Sequence, residues 1–166
     1  MVTLNQLMDA VAAEVTAQYP GEPVFTDQLP KDFKRPSFAL ECQKNETAGL
    51  NPFLVQRTVA LLLTCVVELN AYHDSSRKAL NERMDTLCAH FAQGYLRVGD
   101  RAVRLQTDWG TSAPDFAGVT LLFSWVDGRS EYQDPDAPDS GIPKMRDFAV
   151  NGAVLAGGAP EKGDGE

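Results

Sequence analysis

The residue types that could do chemistry are few and scattered. His73 lies beside Asp74 at a predicted turn, and His90 sits at the margin of an apolar helical stripe. Neither has a second His or a Cys at ligand spacing, so no zinc pattern is present. Cys42, Cys65 and Cys88 sit singly within periodic apolar segments. Their odd count and wide spacing predict reduced core thiols in a cytoplasmic setting. No glycine-rich phosphate loop follows a strand, and no GxSxG elbow occurs. The expectation is a protein that is not an enzyme, with no catalytic residue, no metal and no cofactor. An enzyme reading would have to draw its acids from separate segments, for instance Asp27, Asp32 and Asp108.

Three further constellations have ordinary explanations. The segment Asp134-Pro-Asp136-Ala-Pro-Asp139-Ser-Gly141 has the spaced carboxylates of a calcium loop. It lacks the closing bidentate Glu, and two prolines stiffen it, so it reads as a solvated acidic linker. Lys31, Lys34 and Arg35 surround Phe33 and could touch a phosphate backbone. They read more simply as a solvated loop or as partners of nearby acids. Trp109 and Trp125 fall on apolar strand faces, where packing is their natural role.

The elements that would carry these residues follow from periodicity. A helix is predicted over Leu4–Tyr19, with Thr3 and Gln6 at capping-box spacing and Pro20-Gly21 as its stop. A short strand, Val24–Thr26, precedes a polar loop over Asp27–Pro36. A strand over Ser37–Lys44 places Phe38, Leu40 and Cys42 on one face. After a loop, Asn45–Pro52, a long strand covers Phe53–Leu69, with Arg57 the exception on its apolar odd face. A second helix, Ser76–Gln93, capped by Asp74 or Ser75, carries Leu80, Met84, Leu87, Cys88 and Phe91. Strands at Tyr95–Val98 and from Val103 to Trp109 flank a Gly99-Asp100 turn. A last strand covers Gly118–Val126. Short links between consecutive strands imply an α+β fold: a mostly antiparallel sheet with two amphipathic helices packed on one face.

The whole chain has 166 residues, 43% of them hydrophobic, and a formal charge of −8. That suits one soluble domain and argues against sequence-specific nucleic-acid binding, which needs a basic footprint. The longest apolar run, Val59–Val67, broken only by Thr64, is far short of the roughly 20 residues a membrane helix needs, and no signal-peptide pattern is visible at the N-terminus. Residues 127–166 hold 9 acids and 4 bases, with 7 of the 13 Gly and 4 of the 10 Pro. They are expected to form an irregular, partly disordered acidic arm following a domain over 1–126.

Two features exceed a plain domain. Leu54, Leu62 and Val66 lie opposite the core face of the long strand, and Leu122 and Val126 do the same on the last strand. Helices on one face cannot cover them, so the arm or another subunit should. The arm itself holds an apolar island of Phe148, Val150, Val154 and Leu155. It is expected either to dock on a partner or to pack on its own domain. These seven positions (Leu54, Leu62, Val66, Phe148, Val150, Val154 and Leu155) are the candidate interface residues.

The stretches Thr3-Leu-Asn-Gln-Leu-Met-Asp-Ala-Val-Ala, Pro23-Val-Phe-Thr-Asp27 and Phe33-Lys-Arg-Pro-Ser-Phe38 resemble the start of small prophage proteins assigned as phage tail terminator (tail completion) proteins. The likeness covers roughly residues 3–126 by order of elements, while the extension beyond the last strand departs from the pattern. The resemblance implies a non-enzymatic structural protein of the virion tail, made in the host bacterial cytoplasm. It implies a ring of identical copies, a hexamer, that caps the tail tube and joins it to the head–neck connector. Its partners would be itself, the tail tube protein and the connector, with no membrane and no sequence-specific nucleic acid. A monomeric ligand- or peptide-binding α+β module is the reading from a different class.

Overall fold

A computed structural model describes residues 1–26, 29–129, 147–150 and 153–156. The chain divides into two compact units, Met1–Ser130 and Glu131–Glu166.

The first unit opens with α1, Leu4–Gln18. Thr3 and Gln6 form the expected capping box: the Gln6 amide donates to Thr3 Oγ1 at 3.2 Å, and the Thr3 amide to Gln6 Oε1 at 3.0 Å. Two otherwise free backbone donors are thereby satisfied. Leu7, Val11 and Val15 form its buried stripe. The strands are β1 (Val24–Phe25), β2 (Ser37–Gly49) and β3 (Leu54–Val66), then β4 (Tyr95–Val98), β5 (Arg101–Ser112) and β6 (Phe116–Gly128), with α2 (Arg77–Phe91) between β3 and β4. The sheet order is β1-β2-β3-β6-β5-β4. All pairings are antiparallel except the short parallel one of β1 with β2. The fold is α+β, as the periodicity predicts.

The sheet curls, and α1 lies against both of its edge strands, β1 and β4, while α2 packs on β3, β5 and β6. The core therefore fills one face. Phe38 and Leu40 from β2, Val59, Leu61, Leu63 and Cys65 from β3, and Val119, Leu121 and Phe123 from β6 meet Leu80, Met84, Leu87 and Phe91 from α2. Each fully buried aliphatic or aromatic side chain contributes about 1.5–3 kcal/mol. Gly99 has a positive φ and makes the tight β4–β5 turn that its lack of a Cβ permits.

Several expectations need correction. The expected loop at Asn45–Pro52 is largely strand: β2 continues to Gly49, pairing Glu46 with Thr58 and Ala48 with Gln56. Both faces of this extension are exposed, so backbone pairing and not burial holds it. Cys42 is exposed and not a core thiol, because β2 leaves the helix-covered area there and a bulge shifts the register between Cys42 and Lys44. The long strand ends at Val66, before the predicted Leu69, and α2 starts at Arg77 with Ser76 as its cap, not Asp74 or Ser75, because the Ser76 hydroxyl is the one that accepts the Ala79 amide. The last strand is longer than expected, ending at Gly128.

In the second unit, β7 (Asp147–Val150) pairs antiparallel with β8 (Ala153–Ala156), setting Phe148 opposite Leu155 and Val150 opposite Ala153.

Candidate functional site

The sheet face turned away from the helices is set by register. Leu54, Gln56, Thr58, Ala60, Leu62, Thr64 and Val66 of β3 stand opposite Gly128, Val126, Ser124, Leu122, Thr120, Gly118 and Phe116 of β6. This face mixes apolar and hydroxyl side chains, and its apolar members are unevenly exposed. Leu54 is 38% exposed and Leu62 half-buried. Val66, expected to face a partner, is only 7% exposed. A Cβ on Gly118 would come within 3.0 Å of Leu62 Cδ1, so the glycine makes room for that side chain to lie across β6. Phe148, Val150, Val154 and Leu155 are in β7 and β8; their side chains lie outside the described part of the structure.

Periodicity missed the polar cluster at one end of the helix-covered face. Arg57, the odd residue of its strand face, sits 5.5 Å over the Trp125 ring and donates to the Val2 carbonyl and to Asn45 Oδ1. Trp125 Nε1 donates to Asp127 Oδ2 at 2.8 Å, and Arg101 pairs with the other carboxylate oxygen. Asp127 is 2% exposed. Asp127 is thus paired with Arg101 and Trp125, while Arg57 rests on neutral oxygens and the Trp125 ring with its Nε buried without a hydrogen-bond partner. A composition shift after residue 126 gives no hint of this, since the signal lies in cross-strand register.

A second polar cluster lies between the helices and the start of β2. Arg83 makes a two-pronged pair with Glu22, one contact at 2.7 Å, and lies over the Tyr19 and Phe38 rings. That hydrogen-bonded carboxylate raises the Arg83 pKa. Burial pushes the Cys65 thiol up to about 11 and also raises Tyr19 and Cys88. His90 Nε2 meets Glu14 Oε2 at 3.0 Å, tying α2 to α1. His73 is an exposed turn residue with a positive φ.

The other sequence candidates fall apart in space or into structural roles. Arg35 donates to the Val67 carbonyl and Ser75 Oγ, at 5.2 Å over the Phe33 ring. It anchors its loop through neutral oxygens and not through an acid. Asp108 borders a shallow depression with Phe91, Gly94 and Leu122, which Asp32 does not line. Asp27, the Trp109 side chain and the Asp134–Gly141 segment lie outside the described residues. Among the described residues no three His, Cys, Asp or Glu side chains gather as a metal site, and no helix is long and apolar enough to cross a membrane.

Two loops at opposite ends of the β3–β6 pair were also missed. In the β2–β3 turn, Asn51 Oδ1 accepts the amides of Phe53 and Leu54, at 2.9 and 2.8 Å. In the loop after β3, Asn70 Oδ1 accepts those of Tyr72 and Asp74, at 2.8 and 2.9 Å. Each asparagine fixes a turn that holds large apolar side chains in solvent.

A helix-backed sheet with one partly apolar face that neither helix covers defines a small α+β domain. A family of phage tail terminator proteins matches residues 6–113, from α1 to just past the end of β5. The chain belongs to the phage tail terminator protein family, and with it to the structural components of the virion tail. No curated protein matches the chain. One solved structure, of a protein with no descriptive name, aligns over 80% of this chain and 100% of its own, at 15% identity and a TM-score of 0.45. That likeness is too slight to carry an argument.

Proposed function

We propose that the protein assembles into a closed ring, a hexamer, that ends the tail tube and joins it to the head–neck connector. Its partners are further copies of itself, the tail tube protein and the connector protein. It acts without catalysis or cofactor, and is made in the host cytoplasm before entering the virion. The observation that carries this reading, besides the family, is the sheet face opposite the helices, with Leu54 and Val126 exposed and Leu62 and Leu122 half-buried on it. A neighbour would remove its exposed apolar area from water at about 25 cal/mol per Å². The domain over 1–126 supplies the ring body. The acidic extension after β6, with Phe148, Val150, Val154 and Leu155, supplies a clasp to an adjacent subunit. A net charge of −8 suits a lumen that lets DNA pass without gripping it.

Electron microscopy and mass measurement over a concentration series, with and without tail-tube ends, test the reading. Rings of six are expected, sharply reduced when residues 145–156 are deleted, with no salt-sensitive micromolar binding to duplex DNA. A strict monomer at high concentration that also ignores tube ends would favour a monomeric ligand- or peptide-binding module instead.

A further inference from the structure

We infer that the β2–β3 hairpin tip of one copy docks head to tail on the 69–75 loop of the next. This rests on the ring reading and assigns it a specific contact. The tip carries Leu50, 51% exposed, beside Leu54 and Val126, with the Arg129 guanidinium lying over Gly49. The far loop carries Tyr72, 84% exposed, and exposed Leu69, and Phe116 opens β6 at the same end of the strand pair. Ser75 Oγ donates to the Asp115 carbonyl, which joins that loop to the start of β6.

The two patches cannot satisfy each other within one chain. β3 pairs Leu54 with Gly128 at one end and Val66 with Phe116 at the other. A strand rises about 3.3 Å per residue, so the length of β3 sets its ends roughly 40 Å apart. The patches are unlike in charge as well as in place. Among the described residues Arg129 has no carboxylate partner, and Asp74 and Asp115, both exposed at the far end, have no cation partner. The same end also carries exposed Glu68, the Arg35 guanidinium on Ser75 Oγ, and Arg77 without a carboxylate partner among the described residues, while Lys78 is paired with Glu82.

An apolar tip with one cation thus meets an apolar loop where three exposed carboxylates, Glu68, Asp74 and Asp115, outnumber the two cations Arg35 and Arg77. A contact between unlike patches is the kind that rotation can close into a ring. The asparagine-fixed turns hold both patches in place beforehand, so little side-chain or loop freedom is lost on docking. Tyr72 has the size and rigidity of an interface anchor.

Cysteine trapping in the full chain tests this. In a Cys42→Ser background, one chain carries Leu50→Cys and a second carries Tyr72→Cys. All variants are first shown to melt like the parent. Mild oxidation of the mixture should give crosslinked dimers several-fold above either chain oxidised alone. Arg129→Glu should weaken self-association about tenfold, and adding Asp115→Arg should restore it. Mixed crosslinks with no closed ring would uphold this contact and sink the ring reading. Rings that form normally with like-only or no crosslinks would overturn the contact and leave the ring standing. A chain monomeric at every concentration, with no crosslink, would overturn both.

Discussion

Cys65 and Asp127 show what single side chains do for this fold. Burial holds the Cys65 thiol neutral, with its pKa near 11 against an ordinary 9.0. Between those values the unfolded chain has lost the proton and the folded chain has kept it. The stability contribution is therefore full below pH 9 and lost as pH rises through about 11, a change of roughly 2–3 kcal/mol. Urea melts from pH 8 to 11 should show it, and a Cys65→Ala variant should flatten that part of the curve. At pH 8 a thiol reagent should label exposed Cys42 first and Cys65 only on unfolding. Asp127 accepts from Trp125 and Arg101 while nearly excluded from water. Asp127→Ala strands the indole N–H and one guanidinium donor, and should cost about 1–3 kcal/mol in denaturant melts.

The central strand β3 separates folding from assembly at neighbouring positions. Leu61 is fully buried under the helices, whereas Leu62 lies on the opposite face and is half-buried. Leu61→Asp puts a charge in the core and opens a hole there. It should cost upwards of about 4 kcal/mol and leave the chain largely unfolded by circular dichroism. Leu62→Asp should give a folded monomer with a modestly lower melting temperature and poor self-association by sedimentation. Equal unfolding of both variants would mean that β3 is covered on both faces within one subunit. The half-burial of Leu62 beside Gly118 makes its cost larger than that of an ordinary surface change, yet smaller than at Leu61.

For the molecule as a whole, every core residue named above belongs to the Met1–Ser130 unit. A chain ending at Ser130 should therefore keep a single cooperative thermal transition close to that of the full chain, while losing the associations that depend on the extension. Loss of the transition would show that the extension completes the core. The cut must fall beyond β6, because removing Asp127 would take away the partner of Trp125 and Arg101.

The two helices, the capping box of α1, the β4–β5 turn and the apolar face of each long strand are legible in the residues alone, whereas the cap of α2 falls one or two residues beyond the Asp74 or Ser75 expected. The legible features are local: a capping box links residues one helical turn apart and a strand face repeats every second residue, so neighbours along the chain suffice to specify them. The stretches around Thr3, Pro23 and Phe33 are also enough to indicate the tail terminator family, which the match over residues 6–113 shows. The remainder needed the folded chain. Whether 45–49 is loop or strand depends on hydrogen bonds to β3, since no burial marks it. Cys42 faces water and Val66 is nearly covered because burial depends on how far the helices and the curl of the sheet extend, which a period-2 pattern does not contain. The Arg57–Trp125–Asp127–Arg101 cluster spans three strands, so only their register could bring it together. The exposed tips at Leu50 and Tyr72 became candidate contacts for a like reason. Their placement at opposite ends of one strand pair is a fact of three dimensions, set by the antiparallel pairing of β3 with β6.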